Sequence, residues 1–137
     1  MRKVLLLILS TVLSLAANAA QPAGEIINQC WQDNAHSAMT SCVIEVAKKA
    51  AQDLVLVEKD MMDAIEKSPE LQSYKSTVRN QFGKGIAAYR SYRKVHCGLR
   101  AALASMGNGT EDNRRSCEAE LDMDRAQQLT ADLFWLK

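Results

Sequence analysis

The sequence predicts an all-α domain: long antiparallel helices in a hairpin or bundle, a short helix in front of them, and disulfides stapling the whole. Three observations predict it. Apolar residues recur at steps of three and four along most of the chain, the spacing of one face of a helix, and no useful length alternates with a period of two. The rhythm is interrupted at only a few short places, Ser68-Pro69-Glu70 and Gly107-Asn108-Gly109 being the clearest. The two prolines leave room for long helices, and there is no internal repeat, low-complexity tract or long linker.

The N-terminus reads as an export signal. Arg2 and Lys3 precede an apolar run of about 13 residues from Val4 to Ala16, followed by the small-x-small site Ala17-Asn18-Ala19. A membrane span needs roughly 20 apolar residues, so a cleaved signal over residues 1–19 is expected rather than an anchor. One helical domain then occupies residues 20–137. Cleavage lowers Lys+Arg from 17 to 15 against 16 Asp+Glu, moving the formal net charge from +1 to −1. A near-neutral chain has no electrostatic reason to seek nucleic acid or a membrane surface.

After an extended leader at residues 21–24, Glu25 to about Asn34 reads as a first helix with Ile26, Ile27, Cys30 and Trp31. Ser37 is expected to cap a long second helix, whose stripe runs Met39, Val43, Val46, Ala50, Leu54, Val57, Met61, Ile65. Ser68 is expected to cap the third helix, with Pro69 and Glu70 in its first turn. That helix carries Leu71, Tyr74, Val78, Phe82, Ile86, Tyr89, Leu99, Leu103 and Met106. Gly83, Gly85 and Gly98 each cost it about 1 kcal/mol relative to alanine and mark either a bend or a close helix approach. Gly107-Asn108-Gly109 is expected to stop the helix, and Thr110 to cap a last helix running along Cys117, Leu121, Leu129 and Leu133 to about Leu136.

The cysteines at 30, 42, 97 and 117 suit an oxidising compartment and allow three pairings. Cys97 and Cys117 flank the glycine turn and fall near each other if the two helices fold back. Cys30 and Cys42 on one straight helix would lie about 18 Å apart, against roughly 7 Å for a disulfide. Either a turn near residues 34–37 separates them or they pair elsewhere. The expected set is Cys97–Cys117 with Cys30–Cys42. Zinc is not expected, because no Cys-x-x-Cys or His-x-x-x-His spacing is present and His36 and His96 stand alone. No cofactor is expected, and no nucleophile elbow, metalloprotease motif or phosphate loop points to an enzyme.

Several of these residues together resemble a known family. Cys30 and Cys42 precede a long helix; Tyr89, Tyr92, Arg93 and Cys97 form an aromatic-x-x-Tyr-Arg-x-x-x-Cys segment; Gly107 and Gly109 make the turn; and Cys117, Leu121, Arg125 and Leu129 follow at steps of four. The pattern, over about residues 28–131, resembles the lysozyme inhibitor LprI-like family of small exported bacterial proteins. This chain has Tyr89 where the family usually has Trp, Ile86 where it has Gln and Lys94 where it has an acid. The resemblance implies a helical fold, a periplasmic or secreted location, and a protein partner, lysozyme or a related wall hydrolase, whose cleft the chain would occlude. The alternative is a periplasmic interaction protein, an immunity or envelope-stress factor, with another partner.

Candidate partner-binding residues follow from charge and position: Tyr92, Arg93, Asn108, Glu111, Asp112 and Arg125. Arg93 and Arg125 lie within the apolar rhythm. Each either pairs with an acid near the core or projects into a partner's carboxylate-lined site. The loop 107–112 is tight and either a preorganised binding loop or a plain helix connection. Glu111 and Asp112 either meet a basic partner or only serve the helix dipole.

Overall fold

The computed structural model describes residues 22–32, 35–104 and 109–136. The expected export signal, Asn34, Gly107 and Asn108 therefore lie outside the described residues. The fold is all-α, built from α1 (Ala23–Trp31), α2 (His36–Lys67), α3 (Gln72–Leu103) and α4 (Thr110–Trp135). Helix α4 is the centre: it packs most extensively on α2, next on α3, and also on α1, whereas α2 and α3 touch each other little. Among the described residues no helix is long and apolar enough to cross a membrane.

The apolar stripe of α2 builds the core. Met39, Val43, Ala50, Leu54, Met61 and Ile65 are all buried, each four or seven residues from the next. Toward the α2–α3 turn, Leu54, Met61, Ile65 and Leu129 pack together, with Val78, Phe82 and Tyr89 of α3 laid against them. At the other end Ile27 of α1, Ala50 of α2 and Ala119 of α4 form a second cluster. The small residues Ala50 and Ala119 let the three backbones approach there. Leu129 and Ile27 are almost wholly enclosed, so truncating either to alanine is expected to cost about 2–5 kcal/mol.

Both disulfides form, Cys30–Cys42 and Cys97–Cys117, each with a Cα–Cα distance of 5.5 Å. The first closes because the break between α1 and α2 turns the chain back, so the two cysteines are not on one helix. The second staples α3 to α4. No free cysteine remains among the described residues.

The expected caps are not where the helices start. Helix α2 begins at His36, one residue before Ser37, with Ala35 at the cap position and no side-chain cap bond. Helix α3 begins at Gln72 behind Leu71, not at Ser68. Ser68 lies in an extended conformation (φ −56°, ψ 139°), as the ring of the following proline requires, and its hydroxyl accepts the Glu70 N–H at 3.3 Å in a local turn. Gly109, not Thr110, holds the cap position of α4, with φ −93°. The Asn113 side chain donates to the Gly109 carbonyl at 2.9 Å. In each case the residue with a capping side chain falls one to three positions from the cap position that the helix uses.

The third helix departs most from expectation. Leu71, Tyr74, Leu99 and Leu103, read in sequence as part of its stripe, are exposed, and only Cys97 and Ala101 are buried in α3. Among the described residues no helix covers that side of α3. A Cβ built at Gly83 or Gly98 meets nothing within 4 Å, and one at Gly85 meets only Arg125 Nη2 at 3.9 Å, so these glycines mark no close approach. Gly83→Ala/Gly98→Ala is therefore expected to stabilise the fold by about 1 kcal/mol per site. Urea unfolding should show a raised midpoint; a lowered one would mean that α3 bends at these residues.

Candidate binding surface

A polar seam joins α3 to α4. Asp122 is 2 % exposed and accepts hydrogen bonds from Tyr89 Oη at 2.6 Å and Arg93 Nη2 at 2.8 Å. Arg93 Nε lies 2.8 Å from Asp122 Oδ1, and Nη2 lies 3.3 Å from Glu118. Burial, together with the bond to Asp122, pushes the Tyr89 phenol above its ordinary range, so it stays a donor. Next to this, Arg90 reaches across to the buried carboxylate of Glu58 on α2 at 3.0 Å, and Arg100 pairs with Glu120 at 3.1 Å.

A second set of polar bonds fixes the start of α4. Trp31 Nε1 donates to Ser116 Oγ at 3.1 Å, tying α1 down, and Thr40 Oγ1 donates to Asp112 Oδ2 at 2.7 Å, tying α2 down. Arg115 lies 3.5 Å from the other Asp112 oxygen. Glu111 is bracketed by Arg114 and Arg115, and its bond to Arg114 holds its carboxyl below the usual range.

The expected binding residues therefore separate. Arg93 is pinned by Asp122 and Glu118, the inward one of the two readings open to it. Asp112 is 4 % exposed and engaged by Thr40: of the two acids in its first turn, α4 turns the second inward to anchor α2. Glu111 is exposed but already paired. Asn108 lies outside the described residues. Tyr92 is half-exposed, with its ring stacked on His96 at 5.2 Å.

Arg125 is different. Its guanidinium carbon sits 6.0 Å from the centre of the Tyr89 ring, and it makes no ion pair with any described carboxylate. Arg125 and Tyr92 share an open groove of about 360 Å³ between α3 and α4, with Gly85, Leu121, Asp124 and Gln128. Arg125 also borders a second groove of about 370 Å³ with Phe82, Leu129, Asp132 and Trp135.

Sequence reasoning missed the buried acids Glu58 and Asp122 and the Trp31–Ser116 bond. One signal in the sequence pointed to the acids: α3 contains no Asp or Glu at all, so its cations had to find carboxylates on other helices. Among the described residues no group of three or more His, Cys, Asp or Glu side chains is arranged to hold a metal ion. The chain matches no family model, no curated protein and no solved structure.

Proposed function

We propose that the chain is an exported binding protein that occludes the cleft of lysozyme or a related wall hydrolase, with Arg125 as the residue presented to the target. The observation that carries this reading is the contrast between the two arginines: Arg93 is neutralised by Asp122 and Glu118, and Arg125 stands over an aromatic ring beside an open groove and makes no ion pair with a described carboxylate. Hydrolases of this class work through a pair of carboxylates flanking the scissile bond. A guanidinium is the side chain best suited to bind such a pair, through two parallel hydrogen bonds. The resemblance of the Cys97 and Cys117 segments to the LprI-like family supports the same target, and the two disulfides support export to an oxidising compartment. Stapling also reduces the ordering cost of binding.

The test is lysozyme turbidity clearing with the oxidised chain from residue 20 titrated in. Stoichiometric inhibition is expected. Arg125→Glu, a partly exposed site, is expected to weaken it by at least about tenfold by setting like charges against each other, with an unchanged melting curve. No inhibition by the wild type across a panel of lysozymes would discard this target and favour a different periplasmic partner.

A further inference from the structure

On the reading that Arg125 is presented to the target, we infer that Tyr89 is its positioning residue. Tyr89 keeps Arg125 off Asp122, an acid of its own helix, and so leaves the guanidinium facing the groove between α3 and α4. Asp122 lies three residues before Arg125 on α4, an ordinary spacing for an ion pair on one helix. The same helix uses that spacing twice at its start, where Arg114 pairs with Glu111 and Arg115 with Asp112. Arg125 has its acid at the same place and makes no ion pair with it or with any other described carboxylate.

What prevents the pair comes from α3. The Tyr89 hydroxyl donates to Asp122 Oδ1 at 2.6 Å. Arg93 engages both oxygens, with Nε 2.8 Å from Oδ1 and Nη2 2.8 Å from Oδ2. Asp122 is thus occupied on both sides by residues of another helix, and it is 2 % exposed.

The same anchoring puts the Tyr89 ring beside Arg125. The guanidinium carbon lies 6.0 Å from the ring centre, within the range at which a cation is attracted to an aromatic face. Gly85, one turn before Tyr89, adds room: a Cβ there would come 3.9 Å from Arg125 Nη2. The two acids that share grooves with Arg125 do not replace Asp122. Asp124 is the adjacent residue, and neighbours on a helix do not face each other. Asp132 is seven residues on, about 10 Å along the axis. An arginine held over a ring rather than in an ion pair has no bond of its own helix to break when it meets a carboxylate, and part of its ordering is already done.

The test is nuclear magnetic resonance on the full oxidised chain, with lysozyme inhibition run beside it. Protons near the face of an aromatic ring are shielded, and an N–H held in an ion pair exchanges slowly with water. In the wild type the Arg125 methylene protons are expected to be shielded and its Nε–H to exchange freely. Tyr89→Phe keeps the ring and is expected to keep both signatures. Tyr89→Leu is expected to lose the shielding and to slow exchange by at least about tenfold, as Arg125 moves onto Asp122. It is expected to inhibit about tenfold more weakly than Tyr89→Phe, because that pair must break before the target is bound. If Tyr89→Leu does not fold, Tyr89→Met fills more of the ring's volume and is expected to show the same slowed exchange. A tyrosine that only supported the fold would lower the melting temperature when replaced and leave Arg125 exchange unchanged. Unchanged exchange in a folded Tyr89→Leu or Tyr89→Met therefore overturns the inference, as does an unshielded Arg125 in the wild type. A wild type that shows both signatures, loses them in Tyr89→Leu and inhibits no lysozyme supports the positioning and discards the target, so the two readings fail separately.

Discussion

Replacing Asp122 with alanine is expected to destabilise the fold by about 3 kcal/mol, among the largest effects of any single exchange outside the apolar core. Asp122 is 2 % exposed and takes both the Tyr89 hydroxyl and the Arg93 guanidinium. Without it the phenol has lost its acceptor in a half-buried site, and Arg93 keeps only Glu118, at 3.3 Å. Losing one partner of a buried pair costs about 3–5 kcal/mol; the Arg93 side chain is 26 % exposed, so water reaches it and the lower end applies. Tyr89→Phe removes one hydrogen bond to a charged acceptor and is expected to cost about 1.5 kcal/mol. The decisive comparison is Tyr89→Phe/Arg93→Met/Asp122→Leu, which removes the whole network and leaves no orphan. It is expected to lose less than Asp122→Ala alone, because the cost lies in stranded polar groups more than in the pair itself. Urea unfolding measures all three. A triple variant weaker than Asp122→Ala would mean that the network contributes net stability beyond satisfying its own members.

Asp122 also shows where sequence reading stops. In α2 the apolar stripe is clean, and Val43, Leu54, Met61 and Ile65 are buried as their spacing predicts. In α4 the rhythm Cys117, Leu121, Arg125, Leu129 advances by four each time. Each such step overshoots a helical turn by about 40°, so the row wanders around the helix rather than following one face. Leu129 and Cys117 are buried, yet Leu121 and Arg125 are only partly so. What the rhythm hid is that α4, lying between α2 and α3, buries a second face made of Asp112, Ser116, Ala119 and Asp122. Polar residues on a charged-looking helix give no sign of burial until their partners are known, and the partners Thr40, Trp31, Tyr89 and Arg93 lie 29 to 85 residues away. The reverse error occurs on α3. Leu99 and Leu103 have core-like spacing but no described helix opposite them, and spacing reports a face without reporting what covers it. The hairpin and its staple were legible because Cys97, Cys117 and the glycine turn are local to each other. The split between Arg93 and Arg125 was not, because it depends on Asp122.

Removing the Cys97–Cys117 bridge as Cys97→Ala/Cys117→Ala is expected to cost about 3 kcal/mol in the loop-entropy account, and removing Cys30–Cys42 about the same, since the loop length enters only as a logarithm. Global stability therefore does not separate the two bridges, but local stability does. Nine-residue α1 buries Ala23 and Ile27 besides Cys30 and is held again by the Trp31–Ser116 bond, so it keeps apolar and polar anchors when its bridge is gone. The C-terminal third of α3 buries only Cys97 and Ala101, and its polar ties to α4 include the ion pairs of Arg93 and Arg100. Hydrogen exchange on the two variants is expected to show a selective loss of protection in α3 from about Lys94 to Leu103 when Cys97–Cys117 is absent. Loss of Cys30–Cys42 should weaken α1 and the start of α2 while leaving α3 at the global value. Equal loss of protection along the whole chain in both variants would mean that α3 is held by its ion pairs and not by the staple. The residues that would loosen include Val95, Leu99 and Leu103, the exposed apolar row of α3. With only two side chains buried at that end of α3 and its ion pairs partly exposed, the covalent bond to the central helix is expected to carry the larger share of local stability there.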